Sequence, residues 1–352
     1  MERSWVLVTD GTKGQARSSL AAVRALARAG YSAAATTSRT LSLAAASRHC
    51  ARQVPVPLAE NPSYAGSVRS ELARHQYLTV LPASDLALLS LGAPVLHLID
   101  KTRLAQCAPA AGFYVPPTQT FASWSRLKEQ ADDIEYPVVI KSALAKFPAF
   151  RVDSRRQLPE EISSGALIAQ AYVRDRMRAI AGVVWQGRLV SAVHQRYLRT
   201  WPVDCGTACA AQTIPPDEDL EVRLLELLKG YDGIFQIQLA GRYLLDVNPR
   251  VYGSLPLAVA ANANPVGTYC DLLRGREVAF HRATPGVFYR WIEGDVRHLL
   301  HALRHKETTP LSAILALRPQ PGAAHSTESL IDPGPVVTRL RYALKEANDS
   351  RR

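Results

Sequence analysis

GIFQIQLAGRYLLDVNPRVYGS, residues Gly233–Ser254, is the stretch from which the rest of the chain can be read. Apolar and polar side chains alternate with a period of two on either side of Ala240-Gly241-Arg242, as in an antiparallel hairpin. Phe235, Ile237, Leu239, Tyr243, Leu245 and Val247 fall on one face. Gln236, Gln238, Leu244, Asp246 and Asn248 fall on the other, because opposed partners share a face. With Leu239 opposite Tyr243, Gln238 lies diagonally from Asp246, at roughly 7–8 Å between backbones and less between side-chain tips. One face is therefore core, and the other brings a carboxylate and two amides together beside Arg250. Oxygen donors of that kind suit Mg²⁺ (or Mn²⁺). Magnesium takes one or two carboxylates and leaves its other positions to phosphate oxygens and water.

At 352 residues the chain can bury a sizeable core in two or three subdomains, and its alternating strand and helix signals point to the α/β class. No apolar run approaches the roughly 18 residues of a membrane span. The N-terminus enters a strand at once, without a secretory hydrophobic region. Five cysteines, widely spaced apart from Cys205 and Cys209, fit a reduced, cytoplasmic chain better than a disulfide framework or a zinc site. The net charge of +11 favours anionic partners. The arginines are scattered and no nucleic-acid motif accompanies them, so a phosphate-rich nucleotide and an acidic small molecule account for the charge without nucleic acid or membrane.

Trp5–Thr9, a helix from Ser18 to Ala29 closed by Gly30, and a strand Tyr31–Thr37 make a βαβ opening of a doubly wound sheet. The Asp10–Gly14 turn between them has neither dinucleotide nor Walker glycine spacing. After the strand Tyr77–Leu81, Ser84 and Asp85 stand where open sheets place ligands, and also where they would cap the next helix. Tyr136–Lys141 is an apolar strand from which Lys141 emerges, a costly position unless the ammonium has an anionic partner. Arg196 and Arg199 are spaced so that one can aim inward, and Arg196 is preferred. In the tail, Asp295, His298, His301 and His305 share a helix face, which ordinarily is a solvated basic helix.

LLDVNPR followed by YGS resembles the metal-binding strand of the ATP-grasp superfamily, in its carboxylate–amine ligase and carbamoyl-phosphate-synthetase-like branch. The order Asp100-Lys101, a helix, Gly112 and Val115-Pro116-Pro117-Thr118 is similar to the approach to that domain. The resemblance implies a Rossmann-like α/β domain over 1–97, a grasp domain of two α+β subdomains gripping ATP over 98–280, and a basic, partly helical segment over 281–352. It implies that Gln238, Asp246 and Asn248 hold magnesium and that Arg250, Lys101 and Lys141 reach nucleotide phosphates. Gln170, Tyr172 and Val173 would meet adenine, Asp175 the ribose, and Arg196, Lys141 and Arg250 would act in phosphoryl transfer. Asp10 and Arg17 would help to bind the acceptor substrate. The sequence departs from the pattern at Gln238, where an acidic ligand is commoner, and at Ser142–Arg151, a flap without glycine in which Lys146 or Arg151 would supply charge. The implied function is ATP-dependent activation of a small-molecule carboxylate as an acyl phosphate for attack by an amine, in a cytoplasmic enzyme compatible with a homodimer. The alternatives are a nucleotide-binding protein without turnover and a carbamate- or carboxyphosphate-forming enzyme.

Overall fold

The computed structural model describes residues 4–13, 15–38, 41–144, 146–162 and 165–349; Gly14 of the first turn and Ala145 of the flap lie outside them. Four parallel strands open the chain: β1 (Trp5–Thr9), β2 (Ser32–Thr37), β3 (Cys50–Pro55) and β4 (Thr79–Pro82), in the order β3-β2-β1-β4. The helix Arg17–Arg28 packs an alanine- and leucine-rich face on them and ends before Gly30, whose φ of 84° suits a residue without Cβ. β3 has a mixed sequence, CARQVP, whose exposed residues alternate with partly buried ones, so no apolar run announces it.

A second, antiparallel sheet contains β5 (Thr118–Phe121), β6 (Val138–Ser142), β7 (Phe150–Val152) and β8 (Leu167–Ala171), in the order β5-β8-β6-β7. Phe121, Trp124, Leu127, Ile140, Val152 and Leu167 give it a core of its own. The third sheet is the largest. Its strands β9 (Met177–Trp185), β10 (Arg188–Trp201), β11 (Thr207–Thr213), β12 (Gly233–Ala240) and β13 (Tyr243–Asn248) are joined by β14 (His281–Arg282), β15 (Phe288–Arg290) and β16 (Ala324–His325), with β13-β12-β9-β10-β11-β15-β16 as the path and β14 beside β10. The basic tail thus extends this sheet as well as carrying helices. Asp295 of the helix Ile292–Arg304 is fully buried between Arg199 and Arg290. The Arg290 guanidinium also donates to the carbonyls of Ala316, Leu317 and Arg318 at the end of the next helix.

β12 and β13 form the expected hairpin around Gly241-Arg242, with one departure. Gln238 pairs directly with Asp246 while Leu239 pairs with Leu244, which leaves Leu245 as an extra residue in a bulge. A one-residue bulge reverses the facing of the residues beyond it. Leu244 therefore joins Leu239, Phe235, Ile237 and Val247 in the core, and Leu245 turns to the polar side; the strict alternation expected across the turn fails here. At the turn itself Gly241 has φ 54°, and a Cβ there would overlap the Asp175 carboxylate.

The first sheet meets the hairpin through charge. Arg250, two residues beyond β13, donates from Nε to Asp85 Oδ1 at 2.5 Å, and both side chains are largely buried. Asp85 opens the helix Asp85–Ser90, where Ser84 takes the capping role by accepting from the Ala87 N–H. Breaking a buried pair by removing one partner typically costs about 3–5 kcal/mol. Asp85→Ala is expected to lower unfolding stability by that order in urea titrations, and by less when combined with Arg250→Ala. A loss within about 0.5 kcal/mol, the range of an ordinary surface change, contradicts a joint of this kind.

Candidate nucleotide and metal site

The second and third sheets face each other across a cleft, and each contributes charged side chains from a fixed element. Asp100 caps the helix Lys101–Cys107, accepting from the N–H and hydroxyl of Thr102 at 2.9 and 2.7 Å. That fixes Lys101 at the helix start, from where its Nζ reaches Asp246 Oδ1 at 2.7 Å. Burial opposes the Lys101 charge, yet the carboxylates of Asp246 and Asp85 outweigh it and raise its pKa. Asp85 in turn is held below the usual carboxylate range: burial works the other way, but Arg250 dominates.

Lys141 projects from β6, 9% exposed, and donates to Gln170 Oε1 at 2.7 Å and to the Leu245 carbonyl at 3.1 Å. Neither of these partners is charged. Burial therefore prevails over the more distant attraction of Asp246, and its pKa is lowered to about 8. The bulge is what turns Leu245 into this site. Gln170 completes the contact by donating to Thr118 at 3.2 Å. Lys101, Lys141, Gln170, Tyr172, Val173 and Asp246 all line one cavity of about 80 Å³. Across its mouth Arg151 stacks on the Tyr172 ring at 4.1 Å and pairs with Asp204 at 2.6 Å, while the Cys205 thiol meets the Ala149 carbonyl. The flap without glycine is therefore fastened by side chains to the loop before β11.

Of the candidate metal ligands, Gln238 and Asp246 line the cavity and stand opposite each other instead of diagonally, while Asn248 is buried opposite Gln236 and is not among the lining residues. Asn248 Oδ1 accepts from Arg250 Nη2 at 2.7 Å. Among the described residues no group of three or more His, Cys, Asp or Glu side chains is placed to hold a metal. One carboxylate and two amide oxygens fit Mg²⁺ that arrives with phosphate oxygens, and are too few and too neutral for a tightly held resident ion.

Other expectations fall elsewhere. Arg196 is exposed and bonds Gln212 at 2.7 Å, while its neighbour Tyr197 is buried on the opposite, inward face; the bulged pairing after Tyr197 then takes Arg199 to Asp295. Neither arginine is brought to the cleft. Asp175 binds the Arg176 N–H beside Gly241 and is not among the residues lining the cavity. Tyr172 N–H is already engaged by the Pro137 carbonyl. Asp10 is buried with Ser19 and Thr12, and His298 bonds the Thr200 carbonyl while His301 and His305 stack on each other. Asp85 is the site residue whose partner sequence reasoning missed; its place at the end of β4 was the available signal.

No protein-family model matches the sequence, and no curated protein matches it. Solved structures do share its fold. The L-amino acid ligase from Bacillus licheniformis matches at 15% identity and TM-score 0.56, over 78% of this chain and 75% of that one. N5-carboxyaminoimidazole synthetase from Staphylococcus aureus, complexed with ADP, matches at 10% and 0.61, over 81% of each. Biotin carboxylase from Campylobacter jejuni, in a beta-gamma-ATP complex, matches at 13% and 0.57, over 82% and 74%. The fold is that of ATP-grasp enzymes. Among the described residues no helix is long and apolar enough to cross a membrane.

The charges give two expected outcomes. With Lys141 lowered to about 8, a nucleotide phosphate bound against it should be held fully below that pH and more weakly as pH rises through it, by up to about tenfold per unit. Lys141→Arg should flatten the dependence in fluorescence titrations between pH 7 and 9, and an equally steep fall in the variant contradicts the assignment. Mg²⁺ alone should leave the melting temperature unchanged, whereas Mg²⁺ with ATP raises it.

Proposed function

We propose that this chain is an ATP- and Mg²⁺-dependent ligase that activates a small-molecule carboxylate as an acyl phosphate and joins it to an amine. The observation that carries the reading is that Lys101, Lys141, Gln238 and Asp246 line one cavity between two sheets, with Asn248 and Arg250 next along the same strand and bonded to each other. Lys101 and Lys141 are the cations of that cavity that a polyphosphate would meet. Phosphoryl transfer needs positioning and charge neutralisation more than protein covalent chemistry. Magnesium would be held by Asp246 with the amide oxygens of Gln238 and Asn248, and would neutralise charge on the phosphate oxygens. Lys101 would exchange its contact with Asp246 for phosphate when metal and nucleotide bind together. Lys141, carried by the opposite sheet, would meet the nucleotide from the other side, with Tyr172 and Val173 along the base.

In this reading residues 1–97 are a Rossmann-like domain that precedes the grasp domain of 98–280, and the acceptor binds where they meet. Cytoplasmic small molecules are the substrates. Neighbours named for carboxylation chemistry favour a second reading, in which the activated acid is bicarbonate; ATP turnover that depends on bicarbonate alone would identify it.

ADP and phosphate should appear in equal amounts, with an amide product that requires both substrates, and hydroxylamine should intercept the intermediate as a hydroxamate. AMP and pyrophosphate as products contradict the mechanism. Asp246→Asn should abolish turnover, by at least about a hundredfold on the scale of a lost transition-state charge contact, without unfolding the chain. Lys101→Ala and Lys141→Ala should each weaken ATP binding, and unchanged affinity in both removes them from the site.

A further inference from the structure

Arg17 opens the helix that follows β1, yet its guanidinium lies against the far sheet. Nη1 donates to the Tyr289 hydroxyl at 2.9 Å and the Ser326 hydroxyl at 3.3 Å, and Nη2 donates to the Thr207 hydroxyl at 2.9 Å. The group also lies over the Trp291 ring at 3.8 Å and against Gly253, where a Cβ would be 3.4 Å from Cζ. Arg24, Arg199, Arg250, Arg290 and Arg339 are each paired with a carboxylate, whereas the hydrogen-bond partners of Arg17 among the described residues are all neutral; the Glu293 carboxylate feels its charge but is bonded to Arg339 and Arg297. Its three donations leave the Nε–H and one Nη2–H without a partner there. Two adjacent guanidinium N–H groups are what a planar carboxylate bridges. Thr207 is exposed, so this edge of the arrangement reaches solvent, while Tyr289 and Ser326 are buried and hold the group rigidly.

The position relative to the phosphate cleft is equally specific. Gly253 is three residues beyond Arg250, and its carbonyl accepts from Tyr289, the same hydroxyl that accepts from Arg17. Tyr197 is in hydrogen-bonding reach of Gln238 on one side and feels the charges of Asp246 and Arg17. On the same loop Ser254 accepts from Gln195, whose buried Oε1 has no partner among the described residues.

We propose that Arg17, with Thr207, Tyr289 and Trp291, forms a subsite that binds a substrate carboxylate beside the phosphate cleft. What that carboxylate does rests on the ligase reading; that it binds does not. It is either the acid to be phosphorylated or the spectator carboxylate of an amino-acid acceptor.

The test uses the full chain with a non-hydrolysable ATP analogue and Mg²⁺, and a mixture of the common L-amino acids read by saturation-transfer NMR. At least one amino acid should bind wild type saturably, and its carboxamide should bind at least about tenfold more weakly, the scale of a lost charge-assisted hydrogen bond. Arg17→Gln should lose the same factor and Arg17→Lys less, with affinity for the ATP analogue unchanged in both. Binding of no amino acid, or equal binding by the carboxamide or by Arg17→Gln, overturns the subsite. The carboxamide comparison needs no variant, so it stands even if Arg17→Gln fails to fold. A raised KM for the amino acid in hydroxamate formation identifies the activated acid. Normal hydroxamate formation with lost amide formation identifies the acceptor. Arg17-dependent binding without any ADP release would remove the ligase reading and leave the subsite standing.

Discussion

Asp246 carries the single carboxylate of β13, and the arrangement around it depends on how its charge is met. Lys101 meets it at 2.7 Å, with a helix cap fixing the backbone from which the lysine extends. A carboxylate that leaves water needs such a partner. Lys141 shows the complementary case: an ammonium held by an amide oxygen and a backbone carbonyl, with its charge weakened by burial until an anion arrives. In the ligase reading both are contacts that a polyphosphate would replace.

Much of this was legible because the chemistry and the strand period coincide. The hairpin, its polar face and Arg250 follow from alternation, and Lys141 is conspicuous as a charge in an apolar strand. The bulge was not legible, since Leu244 and Leu245 are identical residues and either can serve the core; only packing against Leu239 and the helix Glu218–Leu227 selects between them. Arg196 was misjudged for a related reason. Alternation says that one of two arginines faces inward only while the strand stays regular, and β10 is irregular just after Tyr197. The pairing of Asp85 with Arg250 spans 165 positions and has no local signature.

The tail illustrates a limit of composition. Its arginines and histidines suggest a solvated surface, but Arg290 and Asp295 are buried and lock β15 to the helices after it. This places Tyr289 and Trp291 against Arg17, so that the first and last parts of the chain close around the loop beyond β13. In the ligase reading such closure would hold a second substrate in position, where orientation supplies a large part of a bimolecular rate.

The ligase reading requires the terminal phosphoryl group of ATP to pass to a carboxylate in this cleft. Positional isotope exchange measures that directly, using ATP labelled with oxygen-18 at the β,γ-bridge, Mg²⁺ and a mixture of amino acids. Label should scramble into the β-nonbridging positions in wild type and not in Asp246→Asn. Scrambling confined to an α,β-bridge label would show adenylate chemistry and contradict it.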